Sequence, residues 1–423
     1  MNSSEWRATG SLSLLYLLRM LGIFMVLPIL ALYVSNLPGH ITTIQIGLAI
    51  GIYGLFQAFL QIPLGMLSDR IGRKPIIVAG ILVFAAGSIV AGATENIHWV
   101  ILGRALQGAG AISSAAQALL ADVTRPESRT KAMTLLGVGM GAAFLLALIF
   151  GPILSGWIGV NGIFVVSGVL TLFAIPVFLI GMPNAPRLPV RPGGFRNALR
   201  DGQLLRLDGG IFCIHTMMTA VFVAAPFAIQ KTYGLDAPEQ WEFYLPVLIA
   251  SILPVFPFIG WAEKNHRMKE GLIGSVILLG VALLIAADGH GQRLWLALAM
   301  WLFFVGLNFL EGALPSLISR RAPEDQKGAA LGVYSTSQFF GAFAGSAIGG
   351  VALGVFGIGG VFGCAAVLAL IWLSFAFTTI PASATPLPRN NRNPAPTDSC
   401  ILPNCNLNSS REMPWLAVST KSS

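Results

Sequence analysis

The chain has 423 residues, of which 55% are hydrophobic and 10% charged, with a formal net charge of +8. So few charges cannot cover a soluble protein of this size, and apolar stretches of about twenty residues, enough to cross a bilayer, recur almost to the end. The basic excess does not signal nucleic-acid binding, because its cations are scattered over short loops without a recognition module.

The expected fold class is therefore an all-α membrane protein with twelve transmembrane helices. The first span, 11–34, holds Arg19 inside it, eight residues in and so about 12 Å from the edge at the helical rise. A cleaved signal peptide carries its charge before the apolar stretch, so this span is read as retained. The second span, 44–67, and the third, 76–94, are joined by the turn Gly65 to Pro75, with Asp69 among Arg70, Arg73 and Lys74. Gly65 and Gly72 allow close helix approach and a tight turn. Asp69 ends the second span, where the N-terminus of a neighbouring helix would stabilise its charge by ~1–2 kcal/mol. The eleventh span begins near Gly328 with small residues that leave room for that contact.

The fourth span, 99–122, carries Arg104 and ends at Asp122; the fifth, 131–154, runs into Gly151, Pro152 and Gly156; the sixth is 162–182. Residues 183–208, rich in arginine and proline, read as a linker between an N-terminal bundle (1–182) and a C-terminal bundle (209–380). The seventh span, 209–231, places His215 about 9 Å deep by the same rise. Then follow 242–262, 271–288, 294–318 with Asn308 and Glu311, 328–350 and 359–379. The tail, 381–423, lacks apolar periodicity and is expected to be disordered.

Alternate loops carry 22 of the 26 Lys and Arg, and cytoplasmic loops retain positive charge, so both termini are expected in the cytoplasm. A shift of 197 residues sets Arg125-Pro126-Glu127 on Ala322-Pro323-Glu324, and a shift of 195 sets the turn at Gly65 on Gly260. Two matches at nearly one offset argue for a duplicated six-helix unit.

Ionisable groups within spans cost at least ~2.5 kcal/mol at mid-bilayer and mark function. Arg19, His215 and Glu311, at one depth, form a candidate proton cluster, with Glu311 as carrier and Arg19 as modulator. Each also has a simpler role: Arg19 snorkelling to head groups, His215 in packing, Glu311 as a structural partner. Arg104 either takes part in proton movement or braces the first and fourth spans. Gln57, Gln61, Gln107, Gln117, Asn308 and Gln338 either bind a polar solute or join helices. Cys213 and Cys364 lie in spans, and Cys400 and Cys405 lack the second ligand pair of a metal site. No phosphate-binding loop or catalytic constellation is visible, so neither an enzyme nor a cofactor is expected.

These motifs resemble the major facilitator superfamily over about residues 11–380. Gly65-x3-Asp69-Arg70-x-Gly72-Arg73-Lys74 is similar to its loop 2–3 signature, and Arg104-Ala105-Leu106-Gln107-Gly108 to a pattern of proton-coupled members. Gly151-Pro152-x3-Gly156 resembles the antiporter signature in part, with Ala147 and Ser155 where that pattern has glycine. The runs Arg19 to Pro28 and Gly332 to Phe339 look most like YajR-type drug/proton antiporters, whose small soluble C-terminal domain this chain does not match.

The resemblance implies two pseudo-symmetric six-helix bundles in a bacterial-type inner membrane, with spans 1, 4, 7 and 10 lining a cavity. It also implies an ion pair between Arg73 and Asp122. Gly65, Asp69, Arg70, Gly72, Arg73 and Asp122 would then latch the two halves on the cytoplasmic side when the protein faces outward. The expected activity is alternating-access export of small organic molecules driven by protons, as a monomer. Uptake or uniport in the same fold is the alternative, and a non-transporting membrane sensor the alternative of another class.

Overall fold

The computed structural model describes residues 1–183, 199–322 and 327–378. Most of the expected linker, Pro323-Glu324 of the repeat, and the tail with Cys400 and Cys405 lie outside the described residues. Among the described residues there is no strand.

Helix covers most of every stretch predicted to span, but several boundaries differ. Helix α1, Ser3–Met25, begins eight residues before the predicted edge because Asn2 and Glu5 form a capping box. It then breaks before Pro28, and α2 resumes at Leu30–Ser35. Helix α3, Thr43–Ile71, and α4, Arg73–Gly92, are the second and third spans. The fourth span is two helices, α5 at Ile97–Ala109 and α6 at Ser113–Val123.

Helix α7 runs from Pro126 to Gly181 and covers both the fifth and sixth spans, turning at Gly159, whose φ of 67° and ψ of 171° is glycine territory. Helix α8, Gly202–Tyr233, starts seven residues before the predicted seventh span, where Asp201 caps two backbone amides. Residues 202–208, expected in the linker, are helical. A short 3₁₀ turn, Ala237–Glu239, leads into α9 (Trp241–Lys264), α10 (Met268–Gly289) and α11 (Arg293–Arg321). Helix α12, Lys327–Ala376, covers the last two spans and turns at Gly357, with φ of 70°.

Among the described residues nine helices are long and apolar enough to cross a membrane. Large apolar side chains face outward in numbers that water would not tolerate: Trp157 is 80% exposed, Ile180 81%, Phe256 73% and Phe173 70%. Lipid is the solvent that such a surface fits.

Helix α3 packs along the second half of the molecule. A Cβ on Gly51 would collide with the Ser346 hydroxyl, and one on Gly47 with the Ser346 carbonyl, so the backbones of α3 and α12 nearly touch. Tyr53 and Phe339 close the row edge to face at 6.2 Å. This contact lies in the first part of α3, away from the basic turn at 68–75. Nearer the basic end, a Cβ on Gly328 would meet nothing within 4 Å, and Val138 is 64% exposed.

Candidate functional site

The basic turn is held within its own half. Gly72 takes φ 121° and ψ 148° between α3 and α4, a conformation that only glycine adopts without strain. That bend brings Arg73 back over the end of α3, where it pairs with Asp69, and its Nη1 donates to Ser68 Oγ at 2.8 Å. Arg73 Nε also donates to Asp122 Oδ2 at 3.1 Å, tying the turn to the end of α6. Lys74 Nζ donates to the Met182 carbonyl at 2.6 Å. Gly65 lies against Ser114, and a Cβ there would stand 2.8 Å from its hydroxyl. Arg70 extends from the last turn of α3, exposed. Asp69 thus has its ion-pair partner in Arg73, while Gly328 near the start of α12 stands in open space.

Arg19 is fully buried and does not snorkel. The interruption between α5 and α6 leaves carbonyls without helical partners, and Arg19 Nη2 donates to one of them, Gly110 O, at 3.1 Å. The same nitrogen donates to Gln57 Oε1 at 2.8 Å, and Gln57 Nε2 donates to Ser113 Oγ at 3.1 Å, so Gln57 bridges the arginine to the first residue of α6. Nε and Nη1 of Arg19 have no partner among the described residues.

Arg104, 1% exposed, donates to Ala49 O and Ile50 O, both at 3.2 Å, and to Gln107 Oε1 at 2.7 Å. Its guanidinium lies 4.7 Å from the Tyr53 ring centre. The helix it braces is α3, the second span, rather than the first as the sequence reading supposed. Gln107 Nε2 donates onward to Ser88 Oγ at 2.8 Å.

The other half holds a separate group. His215 on α8 points Nδ1 at the Ile211 carbonyl, 3.3 Å away, which assigns the ring proton to Nδ1 in the neutral form. Nε2 then accepts from Gln338 Nε2 on α12 at 2.8 Å. Glu311 Oε1 on α11 stands 3.5 Å from that same Nε2 and has no hydrogen-bond partner. With the Nε2 lone pair taken by the Gln338 amide, Glu311 Oε1 stands beside the ring within ion-pair range and is not hydrogen-bonded to it. The structure therefore brings His215 and Glu311 together. Arg19 does not join them, since its partners Gln57 and Gly110 both lie in the first half.

Two further features were not singled out from sequence. Asp208 on α8 is buried with an unpartnered Oδ1, and the unpartnered hydroxyl of Tyr334 lies within electrostatic range of both Asp208 and Glu311. The only signal was Asp208 itself, hidden by the misplaced linker boundary. Glu5 and Arg125 are paired three times over, with the Arg125 backbone amide and Nε both on Glu5 Oε1 at 2.9 and 3.0 Å. Asn308 Nδ2 donates to Ser251 Oγ at 3.1 Å, joining α11 to α9.

Gly151 and Pro152 lie in α7 where α1 breaks. A Cβ on Gly151 would strike the Met25 carbonyl, so this glycine sets how closely α1 and α7 approach. Gly156 meets Pro238, 3.1 Å from its Cβ position. Between the halves lies a narrow cavity with apolar walls, among them Met20, Phe24, Met218 and Phe339, and with Arg104 and His215 both on its surface.

A helical protein with many apolar spans packed around a cavity is built as an alternating-access membrane transporter. The chain belongs to the major facilitator superfamily, whose family model matches residues 12–269 and 207–420. It is 43% identical over 384 residues to the inner membrane transport protein YajR of Escherichia coli (strain K12), covering 89% of this chain and 84% of that protein. It is 26% identical over 343 residues to the multidrug resistance protein MdtH of Yersinia enterocolitica, covering 78% and 83%. A solved bacterial homolog of the human lysosomal transporter Spinster, inward-facing and occupied, superposes with a TM-score of 0.74 at 16% identity, covering 90% of this chain and 97% of that one.

Proposed function

We propose that this transporter is a proton-coupled antiporter that exports small organic molecules across a bacterial-type inner membrane, with both termini in the cytoplasm. The observation that carries the coupling is the His215–Glu311 pair, 3.5 Å apart, with His215 on the cavity wall. An acid and a base this close within membrane spans form a carrier site whose proton occupancy can change as the cavity changes sides. Two relatives support the setting: one is named for the inner membrane, the other for multidrug resistance.

The loop charges favour a cytoplasmic basic end, and the state described is read as one with the latch unfastened. In that state Arg73 holds Asp69 and Asp122 within one half. Closure toward the cytoplasm would bring the start of α12 onto Asp69, which is the latch. The experiment is a compound screen in proteoliposomes with an imposed proton gradient. Flux that follows the gradient supports antiport; flux indifferent to it supports uniport; no flux for any compound supports a sensor.

A further inference from the structure

The first half of the molecule carries two buried cations, and its one buried carboxylate, Glu5, is taken by Arg125. Its carboxylates are Glu5, Asp69, Glu95, Asp122 and Glu127, all at helix ends or in loops. Arg19 and Arg104 are 0% and 1% exposed, and neither has an ion pair among the described residues. Three nitrogens of Arg104 are occupied by neutral oxygens, and Nε and Nη1 of Arg19 by nothing. Neutral dipoles only partly replace the water such ions lose, so a buried guanidinium of this kind draws a counter-anion. In the second half, Glu311 faces His215 rather than either arginine.

Arg104 lines the central cavity, and Tyr53, whose ring it covers, lines it too. The remaining walls are largely flexible or aromatic apolar side chains, with Met20, Met140, Met218, Phe24 and Phe339 among them. Methionine and phenylalanine accept many shapes of apolar body. We propose that the cavity binds amphipathic organic anions, with a carboxylate or sulfonate drawn to Arg104 and an apolar body among the methionines and phenylalanines. This rests on the transport reading for its setting, but binding is separable from proton coupling.

The test is equilibrium binding of three probes with one apolar body to the purified full-length protein in a neutral detergent: 2-naphthylacetate, 2-naphthylacetamide and 2-(2-naphthyl)ethylammonium. The wild-type ranking needs no variant. We expect the acid to bind roughly tenfold or more tightly than the amide or the amine, a gap of about 1.4 kcal/mol. Arg104→Gln should bring acid and amide within about twofold of each other, Arg104→Lys should keep part of the preference, and Met140→Trp, which fills the cavity, should weaken all three. Equal binding of the three probes, tighter binding of the amine, or no binding of any would overturn the proposal. So would full retention of acid binding in a folded Met140→Trp protein. Selective acid binding by a protein that moves no protons would leave this site standing and refute the coupling alone.

Discussion

Glu5 and Arg125 meet through three hydrogen bonds, and the residues 196 positions further on, Asp201 and Arg321, form an ion pair at 3.7 Å. In each half the start of the first long helix is tied to the end of the fourth span. A second pair repeats with its signs exchanged: Arg73 with Asp122 in the first half, Glu263 with Arg320 at 2.9 Å in the second. The duplication is therefore written in the tertiary contacts more clearly than in the residues themselves.

The first clamp is the tighter, since Glu5 is buried and accepts bidentately while Asp201 and Arg321 stand further apart. Replacing Glu5 by Gln should lower the melting temperature of the purified protein, and replacing Asp201 by Asn should lower it less. Thermal melting of the two variants in detergent checks the order.

The turn at Gly72 should be intolerant of a side chain. At φ 121° an alanine is strained by ~1–3 kcal/mol, and relief of that strain would swing Arg73 away from Asp122. Gly72→Ala is expected to insert into membranes yet transport poorly. Wild-type flux from that variant would mean that the turn geometry is not used.

Asp69→Asn should abolish transport without loss of expression or insertion, because it removes the acid on which the latch depends. The Arg73–Asp122 pair offers a sharper check by exchange. Each reversal alone, Arg73→Asp or Asp122→Arg, should reduce flux roughly tenfold or more, and the double exchange should recover part of it.

Gly51 sits where α3 and α12 touch, and a valine there would press on Ser346. Overpacking of ~1–3 kcal/mol would shift the balance of states about 5- to 150-fold away from the one described here. With the native cysteines replaced, a cysteine at Ile50 in the Gly51→Val protein should react faster with an impermeant thiol reagent applied from the periplasmic side. An unchanged labelling rate would count against closure through this contact.

The sequence made the spans legible because lipid demands about twenty apolar residues, whatever their packing. It hid the breaks before Pro28 and at Gly110 to Ile112, where apolar residues continue unchanged although the hydrogen-bond ladder stops. The early start of α8 was signalled by the cap residue Asp201, but arginines and prolines just upstream masked it. His215 and Glu311 were found through their cost in a membrane. Placing Arg19 beside them failed because depth along a helix says nothing of direction around it. Arg19 points instead to the Gly110 carbonyl, a partner created only by the break.

The central claim is that Glu311 carries the proton, and one measurement addresses it directly. Wild-type and Glu311→Gln proteins would be placed in liposomes containing a pH-reporting dye, and proton movement recorded on addition of a transported compound. Wild type should release protons in step with the compound, and the Gln variant should move the compound, if at all, with no proton signal and no dependence on pH. A Gln variant that retains the wild-type proton signal would contradict the account.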